Sequence, residues 1–335
     1  MKRKLSGLLS SCCLLLLSQS CTDGTTLPVG GEVEVPVHLC ARGGALQGSA
    51  TTRTEPKEAF DASVAFSTIS GSYASLSEDE YEGVWEAVVS TDGTMAWTPK
   101  TNGGTTLDSP FYPRYGAYLY LVAYAPKVAP VNGEVSYTLT GQEDLLYVQE
   151  LRGNRWDGER FSGNTQSGKD KSLTFNHLLT RLCFKACKKQ ADGLAVNITR
   201  ITVNEAKTQA TVPLSTGIPV FSATTPGLSL TPSGGGTEVT GVNAVAVGNL
   251  MLPPPGDADT YTLTVETSVG TYSNIEVSYG GVSGAEILKA GMSHEVTLTI
   301  ADKSLSITSI EVKEWTLVEA GDVEIGERLM LQKRK

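Results

Sequence analysis

Tyr118-Leu119-Tyr120-Leu121-Val122-Ala123-Tyr124 presents no polar face in either parity. A strand with one wet side alternates apolar and polar residues, so a run apolar on both sides reads as the central strand of a two-sheet core. Outward from it the same grammar repeats at short intervals. Strand patterns fall at 63–68, 83–89, 117–125, 134–139, 145–150 and 172–186, then at 194–203, 208–214, 261–267, 273–279, 294–300 and 306–314. Ser233-Gly234-Gly235-Gly236 and Pro253-Pro254-Pro255-Gly256 punctuate turns between them, and no segment sustains a helical period. A charged, turn-forming break at 188–193 divides the chain. The expected fold is all-β, two β-sandwiches in tandem over 54–190 and 191–335.

Composition narrows the chemistry. The chain has 335 residues, 40% of them hydrophobic and 19% charged, which is enough apolar surface for two packed cores. Its net charge of −9 argues against a nucleic-acid partner, whose contact surface must be basic. Three histidines leave little for a His-rich metal site. His177 is the best placed of them, but no Gly-x-Ser-x-Gly elbow accompanies it, so a histidine hydrogen-bonded within a sheet is the preferred reading. The acidic run at 77–82 lacks an EF-hand pattern and reads as a solvated loop. Gly234 to Gly236 lacks the Lys-Ser/Thr of a phosphate loop. No catalytic residue, cofactor or metal is expected, and the chain is not read as an enzyme.

The N-terminus reads as a targeting segment. Lys2, Arg3 and Lys4 precede an apolar stretch over 5–17, too short to span a bilayer and of the length of an export signal. Leu17-Ser18-Gln19-Ser20-Cys21 resembles a bacterial lipobox, with residues 1–20 removed and Cys21 carrying the lipid. Three cysteines remain beyond it. Cys183 and Cys187 lie four residues apart on one strand, about 13 Å, too far for a disulfide with each other. With Cys40 they read as structural thiols.

Two further segments stand out. In Glu32-Val33-Glu34-Val35-Pro36-Val37-His38-Leu39-Cys40, Val33, Val35, Val37 and Leu39 alternate with polar or small residues. Pro36 lacks an N–H for a ladder bond, which places this strand at a sheet edge. The stretch 41–57 that follows is small, polar and Gly-containing, an exposed loop with Arg42 and Arg53 as cleavable positions. At the other end, Val323, Ile325, Leu329 and Leu331 share one face of 321–332, with Glu327 interrupting them and Met330 opposite. A tail of this kind gains a partner by adding to a neighbour's sheet, or pairs at home as a last strand.

Several stretches, in order, resemble the fimbrillin family of type V pilus subunits. Residues 119–126, ending Tyr124-Ala125-Pro126, are similar to the family's tyrosine run and Tyr-Ala-x-Pro, and Asp144-Leu145-Leu146-Tyr147 to its Asp-Leu-Leu-Tyr. Phe175-Asn176-His177 resembles its Phe-x-His, and Leu250-Met251-Leu252-Pro253 its Leu-Pro turn, with Pro254 in place of the usual Gln. Leu288-Lys289-Ala290-Gly291-Met292-Ser293-His294 stands where the family has aromatic-Ala-Gly-x-x-Tyr, and Ile310-Glu311-Val312-Lys313-Glu314-Trp315 resembles the closing Ile-x-Val-x-x-Trp. The resemblance implies sandwiches of transthyretin-like, Greek-key type and export as a lipoprotein anchored in the outer membrane through Cys21. It implies removal of an N-terminal strand (within 21–53) by a cut after an arginine, then assembly into an adhesive surface fimbria by strand exchange with other subunits. Arg53, in Thr51-Thr52-Arg53-Thr54, is the preferred cut and Arg42 the alternative; the donor strand is 321–332. The first 53 residues contribute +2 of the −9, so a cut after Arg53 leaves a subunit of −11. The adhesive ligand is an unnamed host or bacterial surface. A different reading is a lipid-anchored glycan-binding module, with Trp85, Trp97, Trp156 and Trp315 as candidates for a sugar platform.

Overall fold

The computed structural model describes residues 33–43, 58–79, 81–102, 104–156, 158–161, 171–191, 194–255, 260–278, 288–301, 304–313 and Trp315. Cys21, Arg53, Val323, Ile325, Leu329 and Leu331 lie outside them. Among the described residues, regular structure is strand apart from two short 3-10 turns at Arg114–Gly116 and Ser233–Gly235, which bears out the all-β class.

The strands of the first half are β1 (Ala41–Gly43), β2 (Phe60–Ser67), β3 (Gly83–Val89), β4 (Met95–Trp97), β5 (Lys100–Asn102), β6 (Thr105–Leu107), β7 (Leu119–Ala125), β8 (Glu134–Thr138), β9 (Leu146–Gly153) and β10 (Leu173–His177). Seven of them build one sheet in the order β1-β10-β9-β7-β2-β3-β4. All its pairings are antiparallel except β1 with β10. The doubly apolar β7 lies between β2 and β9, as its sequence requires. Leu119, Leu121 and Ala123 enter one core with Val64, Phe66, Trp85, Leu173 and Phe175. Val122 and Tyr124, of the other parity, enter a second core with Ala65, Tyr73 and Tyr147.

The second half contributes β11 (Thr180–Lys188), β12 (Val196–Asn204), β13 (Lys207–Pro213), β14 (Val220–Thr224), β15 (Gly227–Leu230), β16 (Thr237–Val239), β17 (Val245–Leu252), β18 (Thr260–Thr267), β19 (Gly270–Ser278), β20 (Ser293–Ala301) and β21 (Ser304–Lys313). One sheet runs β17-β11-β20-β21 and another β15-β12-β18-β19, with β16 also pairing β12. Leu182, Phe184, Ile198, Ile201, Leu250, Val296 and Leu298 belong to the core they share. The small sheet β14-β13-β8 joins strands of both halves, and its Val135 and Val212, with Leu214, close the second core of the β7 sheet.

Two expectations need correction. Residues 172–186 are not one strand. β10 pairs with β1 and β9, and β11 pairs with β17 and β20, so the chain passes from one sheet to another at Leu178-Leu179. The buried parity changes there, from Leu173, Phe175 and His177 to Leu182, Phe184 and Ala186, and a single strand cannot keep both sets on one side. Second, Arg42 is not in a loop. It lies in β1, opposite Thr174.

Candidate functional site

Residues 34–40 are extended but form no continuous ladder. Pro36 bridges Phe111, Cys40 bridges Thr94, and regular pairing begins only at Ala41, where β1 runs parallel to β10. Pro36, with no N–H to give, explains the interrupted pairing. The alternation is kept nonetheless. Val37, Leu39 and Ala41 are 0%, 2% and 1% exposed, Val35 is half-buried against the same core, and Val33 is 57% exposed, while Glu34, Pro36 and His38 face solvent. We call this segment the strap.

The strap is held mainly by backbone groups. The Val37 N–H donates to Pro110 O at 2.8 Å, and the Tyr112 N–H donates to Val35 O at 2.9 Å. Further along, the Ala41 N–H donates to Gly93 O at 2.7 Å on one side and the Leu173 N–H donates to Cys40 O at 2.8 Å on the other. The strap therefore lies between β10 and the β3–β4 turn, at the margin of the seven-stranded sheet. Gly93 makes that approach possible: its φ is +80°, and a Cβ there would meet Ala41 O at 2.5 Å. One side chain joins the backbone groups, the Trp97 indole N–H donating to Val37 O at 2.9 Å. Beneath Val37 and Leu39 the core includes Trp85, Tyr112, Phe161, Leu173 and Phe175. Tyr112 stacks on Phe161 at 5.7 Å, accepts the Phe161 N–H at 2.7 Å, and burial pushes its hydroxyl pKa well above the usual value. At the solvent end Glu34 and Arg114 form an exposed ion pair at 3.5 Å.

The root of the C-terminal tail is built differently. Trp315 follows β21, is 3% exposed, and stacks on His177 with ring centroids 3.9 Å apart and planes at 17°. His177 Nδ1 lies 2.9 Å from Asp144 Oδ1, and the Arg181 guanidinium sits 5.4 Å from the Trp315 ring centre. An open cleft of about 720 Å³, lined in part by Phe60, Leu146 and Met251, reaches Trp315. Thus His177 is tied to Asp144 and a tryptophan at the end of β10. Sequence reading missed Trp97 and Trp315 in these positioning roles; the closing Ile-x-Val-x-x-Trp was the one hint of the second.

The remaining candidates are dispersed. Trp85 is buried in the β7-sheet core and meets Trp97 edge-on at 6.0 Å, whereas Trp156 is 56% exposed beside Arg155. The four tryptophans do not form one platform, and the buried ring of Trp85 offers no face to a sugar. Cys40, Cys183 and Cys187 are half-buried; Cys183 and Cys187 are free thiols, Cys183 3.7 Å from Ser293 Oγ and Cys187 3.4 Å from Thr299 Oγ1. The acidic run satisfies itself: Asp79 accepts the N–H groups of Tyr81 and Glu82, and Glu82 accepts from Ser77. Among the described residues, no group of three or more His, Cys, Asp and Glu side chains is gathered as for a metal.

Comparison with known proteins adds the following. A family model described as fimbrillin-like matches residues 52–315. The chain is similar to the crystal structure of a candidate cell adhesion protein from Bacteroides ovatus, with a TM-score of 0.56, 14% identity, and coverage of 86% of this chain and 100% of that one. It is likewise similar to one from Bacteroides uniformis, with a TM-score of 0.50, 15% identity, and coverage of 87% and 100%. At these identities the structural likeness establishes the fold alone. No curated protein matches the sequence.

Proposed function

The chain belongs to the fimbrillin-like family, and on that premise we propose that it is a structural or accessory subunit of a surface fimbria, serving adhesion. The precursor is exported as a lipoprotein held in the outer membrane through Cys21. It is cut after Arg53 and joined to other subunits by strand exchange, with 321–332 as its own donor segment. The strap carries this reading. Most of its hydrogen bonds go to main-chain atoms, which any extended segment supplies, and its buried side chains are short aliphatics that another strand can imitate. Burying Val37 and Leu39 stabilises the seated strap by about 2 kcal/mol each, enough to retain it after a cut yet within reach of a competing strand.

The position of the cut follows the same logic. Arg42 is engaged in the parallel ladder with β10, where a protease must first pull β1 out of its sheet. Arg53 lies beyond β1, and the matched family region opens at residue 52, beside it. The test is to treat the full precursor with an Arg-specific protease. The expected product begins at Thr54, and the strap, labelled at the exposed His38 position through His38→Cys, stays bound until excess unlabelled strap peptide displaces it. A precursor left intact at Arg53, or a cut one whose strap never exchanges, overturns the reading.

A further inference from the structure

Where β7 begins and β9 ends, the surface carries three exposed aromatic side chains. Tyr115, Tyr118 and Trp156 are 86%, 37% and 56% exposed. The turn before β7 holds Tyr115 at φ +58°, a left-handed conformation that a tyrosine adopts rarely and at a cost, yet it sets the ring out in water. Beside it Gly116, at φ +73°, lets Trp156 close in, since a Cβ there would collide with the indole nitrogen. Two residues on, Tyr118 has the Arg152 guanidinium 4.7 Å from its ring centre and the Tyr120 ring at 6.5 Å. Tyr120 and Arg152 are direct partners across the β7–β9 ladder.

The charge at this patch is not neutralised from within. Arg152 is exposed and makes no ion pair with another described residue. Glu150, two residues back on β9, is taken up by Ser70, Gly71 and Tyr73, which all donate to it. A guanidinium over a ring keeps its N–H donors at its rim, where they fit a carboxylate or a sulfate. Three features then select the occupant. β7 and β9 are interior strands, so no peptide can add to them as a further strand. The exposed parts of the three rings total about 350 Å², less than half of the ~800 Å² that each partner gives to a stable protein interface. Each ring also bears a polar atom, two phenol hydroxyls and one indole N–H, which suits a sugar, with its C–H face on an aromatic plane and its hydroxyls at the edge, better than a lipid chain. We infer that this patch binds an acidic saccharide, its sugar rings on Trp156, Tyr115 and Tyr118 and its carboxylate or sulfate on Arg152. This names the chemistry of the surface ligand and rests on the adhesive role proposed above.

The test titrates the full chain, by calorimetry, with a hyaluronan tetrasaccharide, a chondroitin sulfate tetrasaccharide and neutral cellotetraose. An acidic sugar is expected to bind about tenfold or more tightly than cellotetraose. Binding of both acidic sugars identifies the carboxylate as the anchor, and binding of chondroitin sulfate alone the sulfate. Arg152→Gln should abolish the preference over cellotetraose. Trp156→Ala should weaken acidic-sugar binding about tenfold, and Trp156→Phe, which keeps a ring, by less. Both side chains are exposed, so these variants should keep the parent's urea midpoint. Failure of both acidic sugars to bind, or equal binding of cellotetraose or of tetraglutamate, overturns the inference. So does a dimer, or capture by phosphatidylglycerol vesicles, that Trp156→Ala abolishes, because a second copy or a membrane would then be the occupant. Strap exchange is read separately. If the strap exchanges and no sugar binds, only this inference falls; if a sugar binds and the strap never exchanges, the saccharide site stands and assembly by strand exchange falls.

Discussion

Val37 and Trp315 are both sealed from solvent, but by unlike means. Val37 is gripped through its backbone, its N–H on Pro110 O and its carbonyl under the Trp97 indole, while its side chain is one of several interchangeable aliphatics. Trp315 is gripped through its ring, which stacks on the His177 imidazole and has the Arg181 guanidinium 5.4 Å from its centre, with Asp144 at 2.9 Å from the imidazole. Backbone contacts tolerate any sequence that can be extended; ring contacts tolerate almost none. The strap is thereby suited to exchange and Trp315 to anchoring the end of the β21 region.

The anchored end should show the largest effects. Trp315→Ala removes a buried ring and its stack and is expected to cost about 3–5 kcal/mol in urea unfolding. Trp315→Phe keeps a ring against His177 and should cost well under half as much. A loss below about 1 kcal/mol for the alanine variant would mean that the cage does not anchor the end of the β21 region.

Acid should separate the two ends next. His294 on β20, beside β21, is buried, and that burial holds its pKa down at about 4. Its ordinary value is 6.5, so below that pH the unfolded chain takes up the proton more readily than the folded one. The stabilisation is therefore complete above pH 6.5 and is lost progressively as pH falls towards 4, by about 3 kcal/mol in all. His294→Leu should remove that share of the pH dependence. The strap's sealed side chains, Val37, Leu39 and Ala41, carry no titratable group. Retention of the strap by the cut chain should then change little between pH 7 and 5.5, and release over that interval would break the contrast.

Leu39→Ala is smaller again, about 2–3 kcal/mol in the uncut chain. In the cut chain the same change should appear as strap release faster by tenfold or more, with the remainder of the fold unfolding at its former midpoint once the strap has gone. An equal loss before and after strap removal would show that Leu39 stabilises something other than its own seat.

Much of this architecture is legible in the sequence because burial imposes parity. β7 announces its central place by having no polar side, and the strap's one-sided burial follows from Val35, Val37 and Leu39. The passage from β10 to β11 is legible too, in the odd-to-even switch between Phe175 and Leu182, although the lack of any Gly or Pro within 172–186 leaves no turn signal to mark it. What the sequence does not display are contacts between residues far apart in the chain. Nothing near Thr94 or Trp97 says that this hairpin borders a segment some sixty residues earlier, and nothing near Arg42 reveals a parallel partner at Thr174. Non-local pairings of this kind depend on which edge a strand reaches, not on its own pattern.

Trp97 offers the finest test of the contrast, since its indole hydrogen-bonds the strap's main chain from the sheet below. Trp97→Phe leaves an aromatic ring to meet Phe66, now at 5.8 Å, and Trp85, at 6.0 Å, but withdraws the donor from Val37 O. A hydrogen bond of this kind contributes about 1 kcal/mol net, so the cut chain should release its strap roughly fivefold to tenfold faster. Urea unfolding of the strap-free fold should be nearly unchanged, because the lost partner belongs to the strap. If strap release does not quicken by that factor while the strap-free fold is unchanged, the indole does not hold the strap through Val37 O, and the grip on the strap lies in its remaining backbone contacts alone.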